Sequence, residues 1–214
     1  MKKIIPLSAP ILFLTLGFFL IGQAPPKSLM DQWKDVELEI KKGLPKTAIE
    51  KIDPLIKRAL KHGSHAVAIR AIGQKINLEG AIEGNKAEEK IARMEEEIAK
   101  APEALKPMMR AVLSNWYWQY FQQNRWRFSQ RTRTAEAPGE DITTWDLSRI
   151  LLEIDKQFQK TLSYHEVLKK QAIGDYDFLL KKGNVPESYR PTLYDFVVHD
   201  ALRFYSAGEQ AGSR

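Results

Sequence analysis

The chain has 214 residues, of which 43% are hydrophobic and 28% are charged, so a disordered chain is excluded as the general state. Its formal charge is +6, with 33 basic and 27 acidic residues interspersed, which is less concentrated than a dedicated nucleic-acid-binding protein requires. The absence of cysteine excludes disulfides, thiolate catalysis, zinc–cysteine sites and any cysteine thioester.

Residues 1–24 have the pattern of a secretory signal peptide. Two lysines precede an apolar run over residues 11–22, and small residues flank a cleavage position after Ala24. Because Pro25 would follow the cut, and proline is unfavourable there, an uncleaved anchor over residues 4–22 is the alternative. We therefore expect an exported protein of the periplasm or cell envelope, which meets a membrane only through this segment if it stays uncleaved.

Apolar residues then recur at helical spacing along almost the whole chain, and no stretch alternates as a good strand does. We predict an all-α fold with no substantial sheet. Pro54 lies inside the second helix and is expected to kink or divide it, because proline lacks an N–H and crowds the preceding turn. Gly80 and Gly84 are expected to bracket a turn. The first five predicted helices cover residues 28–42, 45–61, 64–79, 85–101 and about 103–123.

Four of these helices form two hairpins that repeat after about 40 residues. The motif Arg70-Ala71-Ile72 in the second helix of one hairpin matches Arg110-Ala111-Val112 in the next, 40 residues later. A repeat of this length is typical of stacked helical hairpins. We therefore predict that residues 28–134 form antiparallel hairpins packed as a short α-solenoid of the tetratricopeptide or HEAT type.

Residues 142–208 are predicted to be further helices of the same domain, after a turn-rich connection over residues 134–141. Thr143 and Asp146 have the Thr-x-x-Asp spacing of a capping box, so a helix is expected to open there. Residues 209–214 are predicted to be a linker or tail. The apolar stripe of the predicted helix has regular helical spacing: Leu147, Ile150, Leu151, Ile154 and Phe158.

The segment 114–134 (SNWYWQYFQQNRWRFSQRTRT) holds three of the five tryptophans. On a helix, one face is apolar, Tyr117 and Phe121 flank it, and Trp118 points away. A helix that is apolar over so much of its circumference is usually buried, so we predict a central helix between the earlier hairpins and the later helices. The apolar face comprises Leu105, Met108, Met109, Val112, Leu113, Trp116 and Tyr120.

Three interpretations of the segment stay open. As a packed joint, Trp126 and Phe128 anchor an exit loop after the helix, while Arg125 and Arg127 cap nearby helix C-termini or pair with acids. As a protein-interaction surface, these four residues and Trp118 contact a partner, because Trp, Tyr and Arg dominate interface hot spots. As a nucleic-acid surface, the aromatic rings stack on bases. The predicted export disfavours the third, and no nucleic-acid partner is predicted.

No group of residues supports a catalytic, cofactor or metal site. His62 and His65 make an H-x-x-H pair, but a glycine separates them and no third ligand is evident. His165-Glu166 and His199-Asp200 are isolated pairs, and the chain lacks a G-x-S-x-G turn, a P-loop and a G-x-G-x-x-G motif. We predict a non-enzymatic protein without a cofactor. An unrecognised periplasmic enzyme is the alternative, and it requires both pairs to share one pocket.

Three motifs, WYWQYFQQNRWRF, TTWD and RPTLYDFVVHDAL, together resemble the N-terminal helical region of large bacterial alpha-2-macroglobulin family proteins of the Bacteroidetes and planctomycete type. The resemblance covers about residues 28–210. It implies a helical scaffold whose partner is the macroglobulin body or another envelope protein. Many family members carry a Cys-x-Glu-Gln thioester in later domains, and this cysteine-free chain cannot supply it. A free-standing periplasmic helical-repeat adaptor that binds another protein is the alternative.

Overall fold

The computed structural model of the protein describes residues 27–130, 139, 141–181 and 183–208. Within these ranges the chain forms helices and 3-10 turns and no strand, which confirms the predicted all-α class. The predicted signal segment and the C-terminal tail lie outside the described residues. The helices are α1 (Leu29–Lys41), α2 (Pro45–Lys61), α3 (His65–Ile82), α4 (Ala87–Lys100), α5 (Lys106–Gln123), α6 (Arg125–Gln130), α7 (Leu147–Leu162), α8 (His165–Leu168) and α9 (Leu193–Tyr205).

Each long helix packs mainly against the next long helix in chain order, from α1 through α5 and then to α7 and α9. This nearest-neighbour packing is the arrangement of a short solenoid, as predicted. The buried apolar side chains form one continuous core that reaches from Trp33 in α1 to Phe204 in α9. A 3-10 turn at Ile142–Thr144 precedes α7, and two more lie between α8 and α9 at Ile173–Tyr176 and Glu187–Tyr189.

The helix ends of the first hairpins follow the sequence signals. Ser28 caps α1, because its hydroxyl oxygen accepts a hydrogen bond from the Asp31 N–H at 3.1 Å. Gly43 and Gly63 end α1 and α2 with φ angles of 72° and 65°. Glycine has no Cβ to disfavour this left-handed conformation, so the chain can reverse tightly into the next helix.

Two predictions for the repeat region are wrong. Pro54 does not divide α2, which continues through it, and the predicted kink stays a prediction. Pro54 and the Glu50 four residues earlier are both exposed, so water can satisfy the carbonyl that loses its helical partner. Gly80 does not begin a turn either, because it is buried inside α3. A Cβ added at Gly80 would lie 2.5 Å from Cε of Lys90, so the missing side chain leaves room for the Lys90 side chain to pack against α3.

The predicted capping box at Thr143 and Asp146 is also wrong. Thr143 lies in a 3-10 turn, and Asp146 itself caps α7 by accepting the Arg149 N–H at 2.8 Å. Between them Trp145 is extended and buried, with its ring stacked 6.2 Å from that of Tyr117, which holds the chain out of a helix there. The described residues do contain a capping box, at the start of α9.

The segment between α8 and α9 returns to the first helices of the solenoid. The Phe178 ring meets Trp33 of α1 edge to face at 5.3 Å. The guanidinium of Arg70 in α3 lies over both rings, 4.6 Å from Trp33 and 4.3 Å from Phe178. It also donates a hydrogen bond to the Phe178 carbonyl at 2.7 Å. These contacts join the C-terminal part of the chain directly to the first hairpin.

We expect the change Arg70→Leu to lower the free energy of unfolding by about 1–2 kcal/mol, because it removes a charge-assisted hydrogen bond and two cation–π contacts. Urea unfolding followed by circular dichroism measures the effect. The matched control is Arg203→Leu, whose side chain is 80% exposed and should change stability by less than about 0.5 kcal/mol. Equal stability of the two variants would contradict a joining role for Arg70.

Candidate protein-interaction surface

The α5 helix is the central helix of the solenoid, as predicted, with α4 on one side and α7 on the other. The buried side of α5 differs from the predicted apolar face. Trp116 is only half-buried, whereas Tyr117 and Phe121, expected at the flanks, are fully buried. The reason is that neighbouring helices approach from two directions and cover both flanks. The buried residues of α5 are Pro107, Met108, Met109, Ala111, Leu113, Ser114, Tyr117, Tyr120 and Phe121.

Trp118 is half-buried at the junction of α5 and α9. Its ring meets Phe204 edge to face at 5.2 Å and lies 5.4 Å from Phe121. These distances are typical of favourable aromatic pairs. Trp118 therefore packs inside the domain over part of its surface, and the rest of its ring lines a groove between α5 and α9.

Phe128 is 0% exposed, so its assignment to an interaction surface is wrong. Its ring lies 6.0 Å from Tyr120 and 5.8 Å from Phe121 and anchors α6 against the end of α5, as the packed-joint interpretation predicts. Arg127 is half-buried, and its guanidinium donates to the Tyr120 hydroxyl and lies 5.2 Å from the Phe128 ring. Arg127 therefore stabilises this joint through aromatic partners, where the packed-joint interpretation expected a helix end or an acid.

Trp126 lies on the opposite side of α6 and is 69% exposed. Two residues turn a helix by about 200°, so anchoring Phe128 in the core directs Trp126 away from it. The prediction of an exit loop anchored by both residues is therefore wrong, because residues 125–130 form a helix and Trp126 is exposed. Arg125 is exposed next to it. The break between the helices is held by Asn124, whose side-chain amide donates to the Tyr120 carbonyl at 2.9 Å.

The residues that precede Arg125 and Trp126 along α5 are uncharged. Residues 111–124 contain no charged side chain, in a chain that is 28% charged overall. The exposed side chains at the end of this stretch are the amides of Gln119, Gln122 and Gln123. We call Gln122, Gln123, Arg125 and Trp126 the Trp126 surface. Its tryptophan and arginine side chains are of the types enriched in protein interfaces.

The two His–acid pairs that were weighed as catalytic candidates lie on α8 and α9. His165 contacts its neighbour Glu166 at 3.3 Å on α8, while Asp200 lies on α9 with its carboxylate 3.8 Å from Arg203. Desolvation raises the pKa of Asp200. Within the described part of the chain no group of three or more His, Cys, Asp or Glu residues could hold a metal ion. In the same ranges every helix is too short or too polar to cross a membrane.

A comparison with known proteins finds no matching family model, no matching curated protein and no matching solved structure. The resemblance to the N-terminal region of bacterial alpha-2-macroglobulins thus stays a prediction that rests on the three sequence motifs. The structure itself shows the fold, the packing of Phe128 against α5 and the exposure of Trp126.

The packing of α6 predicts effects of different size on stability for its two aromatic residues. We expect Phe128→Ala to lower the free energy of unfolding by about 3 kcal/mol, because it leaves a cavity between Tyr120 and Phe121. Trp126→Ala should change it by less than about 0.5 kcal/mol, because the indole is exposed. Urea unfolding followed by circular dichroism gives both values. Similar losses in the two variants would show that Trp126 also packs in the core.

Proposed function

We propose that this protein is a non-catalytic, exported helical scaffold that binds another envelope protein through the Trp126 surface. The observation that carries the proposal is a tryptophan, 69% exposed, on a short helix that is anchored to the core. Tryptophan is the residue most enriched at the energetic centres of protein interfaces. An isolated exposed apolar residue is ordinary, but a fixed tryptophan beside an arginine and uncharged amides has the chemistry of such a centre.

Anchoring of α6 supports affinity as well as position. Phe128 and Arg127 hold the helix from below, and the Asn124 side chain fixes the turn before it. A partner would therefore contact a surface that is already ordered, so less conformational entropy would be lost on binding. The adjacent Gln122 and Gln123 can exchange water for hydrogen bonds to a partner without the desolvation cost of a buried charge.

A protein partner is favoured over a nucleic acid. Phe128, one of the rings that would have to stack on bases, is 0% exposed, and the predicted export separates the chain from cellular nucleic acid. The proposal that the protein has no enzymatic activity and no cofactor is supported by the sequence, which contains no recognisable catalytic motif. Export rests on the signal-like segment 1–24, and the macroglobulin body as partner rests on the motif resemblance. A free-standing adaptor for another envelope protein is the second candidate.

Affinity capture from envelope extract of the source cells tests the proposal. We expect the wild-type chain to retain a specific protein and Trp126→Ala to lose it by about tenfold or more, since a central interface tryptophan contributes at least that much. The matched control is Tyr189→Ala, which removes an equally isolated aromatic side chain, 76% exposed, from another surface. Capture of the same proteins in the same amounts by all three chains would contradict the proposal.

Mass spectrometry of the retained protein separates the two candidates. A partner with serial β-sandwich domains supports the scaffold of a macroglobulin. An unrelated envelope protein that is lost with Trp126→Ala supports the free-standing adaptor.

A further inference from the structure

A groove of about 360 Å³ runs between α5 and α9, with the buried Phe158 of α7 below it. It lies beside the Trp126 surface, and two exposed glutamines of α5 border both. Its volume is at the small end of the range for small-ligand sites, roughly 300–1,000 Å³. The side chains that decide its chemistry are Asn115, Trp118, Gln119, Gln122, Asp200 and Arg203.

The polar side chains of this groove share one property. Each ends in a planar amide, carboxylate or guanidinium group that places two hydrogen-bonding atoms side by side. Asn115 and Gln119 are already aligned, since the Gln119 amide donates to the Asn115 oxygen at 2.6 Å. Trp118 adds a broad aromatic surface, because its ring is only partly covered by Phe204 and Phe121.

Asp200 supplies the carboxylate of the groove. Desolvation raises its pKa, so its carboxylate has lost part of its water shell. Its nearest cation, Arg203, lies 3.8 Å away, which is too far for a hydrogen bond. The Arg203 side chain is 80% exposed and free to turn. The groove thus offers a carboxylate that can accept hydrogen bonds from a ligand, together with one balancing positive charge.

We propose that this groove binds a short neutral oligosaccharide. Neighbouring hydroxyls of a sugar ring present two donors or acceptors side by side, which matches planar two-atom groups, and the apolar face of the ring can pack on Trp118. The single negative and single positive side chain favour an uncharged ligand. This proposal is independent of the protein partner of the Trp126 surface.

The test is a titration of the ¹⁵N-labelled full chain, followed by nuclear magnetic resonance of the tryptophan indole and the Asn and Gln side-chain amides. The probes are cellotetraose, maltotetraose and chitotetraose, each to millimolar concentration. We expect at least one of them to give saturable shifts of the Trp118, Asn115 and Gln119 signals. No saturable shift with any of the three would overturn the proposal.

Two variants with opposite expectations make the assignment specific. Asp200→Asn keeps the shape of the side chain and should weaken the sugar about tenfold, because a hydrogen bond to a charged group becomes a neutral one. It removes a desolvated charge, so it should fold normally, which the same spectra show. Trp126→Ala should bind the sugar as the wild type does. Unchanged affinity of Asp200→Asn, or tighter binding of an uncharged pentapeptide at the same signals, would overturn the assignment.

Discussion

A chain of aromatic contacts fixes the C-terminal half of this molecule. Phe121 of α5 is completely buried and touches both Trp118 and Phe128. Trp118 in turn meets Phe204 of α9, and Phe204 lies 5.5 Å from Phe158 of α7. Four helices are therefore held in register by one set of rings. The direction of α6, the exposure of Trp126 and the groove between α5 and α9 all follow from this packing.

Two different surfaces result from the same aromatic segment. Since Phe128 is fixed in the core, Trp126 is presented outward on a helix that has little freedom to move. Since Trp118 is covered by Phe204 on only part of its ring, the remainder faces the α5–α9 groove. One surface presents an exposed tryptophan and an arginine, and the other presents planar polar groups beside Trp118. The buried aromatic side chains support both the Trp126 surface and the groove.

The periodicity of the apolar residues was sufficient to predict the helices, their hairpin arrangement and the central position of α5. Local signals were reliable where local interactions decide the backbone, as at Ser28 and Gly43. They failed where a distant element decides it. The stacking of Trp145 on Tyr117, nearly 30 residues earlier, displaces the predicted start of α7 to Asp146. Similarly, Gly80 lies inside α3 and not in a turn, and the side chain of Lys90 packs against it.

The candidate site was predictable only in part. The sequence singled out the segment that carries the candidate surface. It could not decide between Trp126 and Phe128, because both are large and apolar and a six-residue helix is too short to show which side is buried. Burial of Phe128 depends on Tyr120 and Phe121, whose position depends on α7 and α9. The uncharged stretch 111–124 is visible in the sequence, but only Gln119, Gln122 and Gln123 of it are exposed.

Acrylamide quenching of tryptophan fluorescence, compared between the wild type and Trp126→Phe, tests the central claim most directly. Trp33 and Trp145 are each 4% exposed, Trp116 and Trp118 are half-buried, and Trp126 is 69% exposed. The account predicts that the variant loses the red-shifted, readily quenched part of the emission and keeps a blue-shifted, poorly quenched remainder. Equal quenching of the two proteins would show that Trp126 is not the outward tryptophan and would contradict the account.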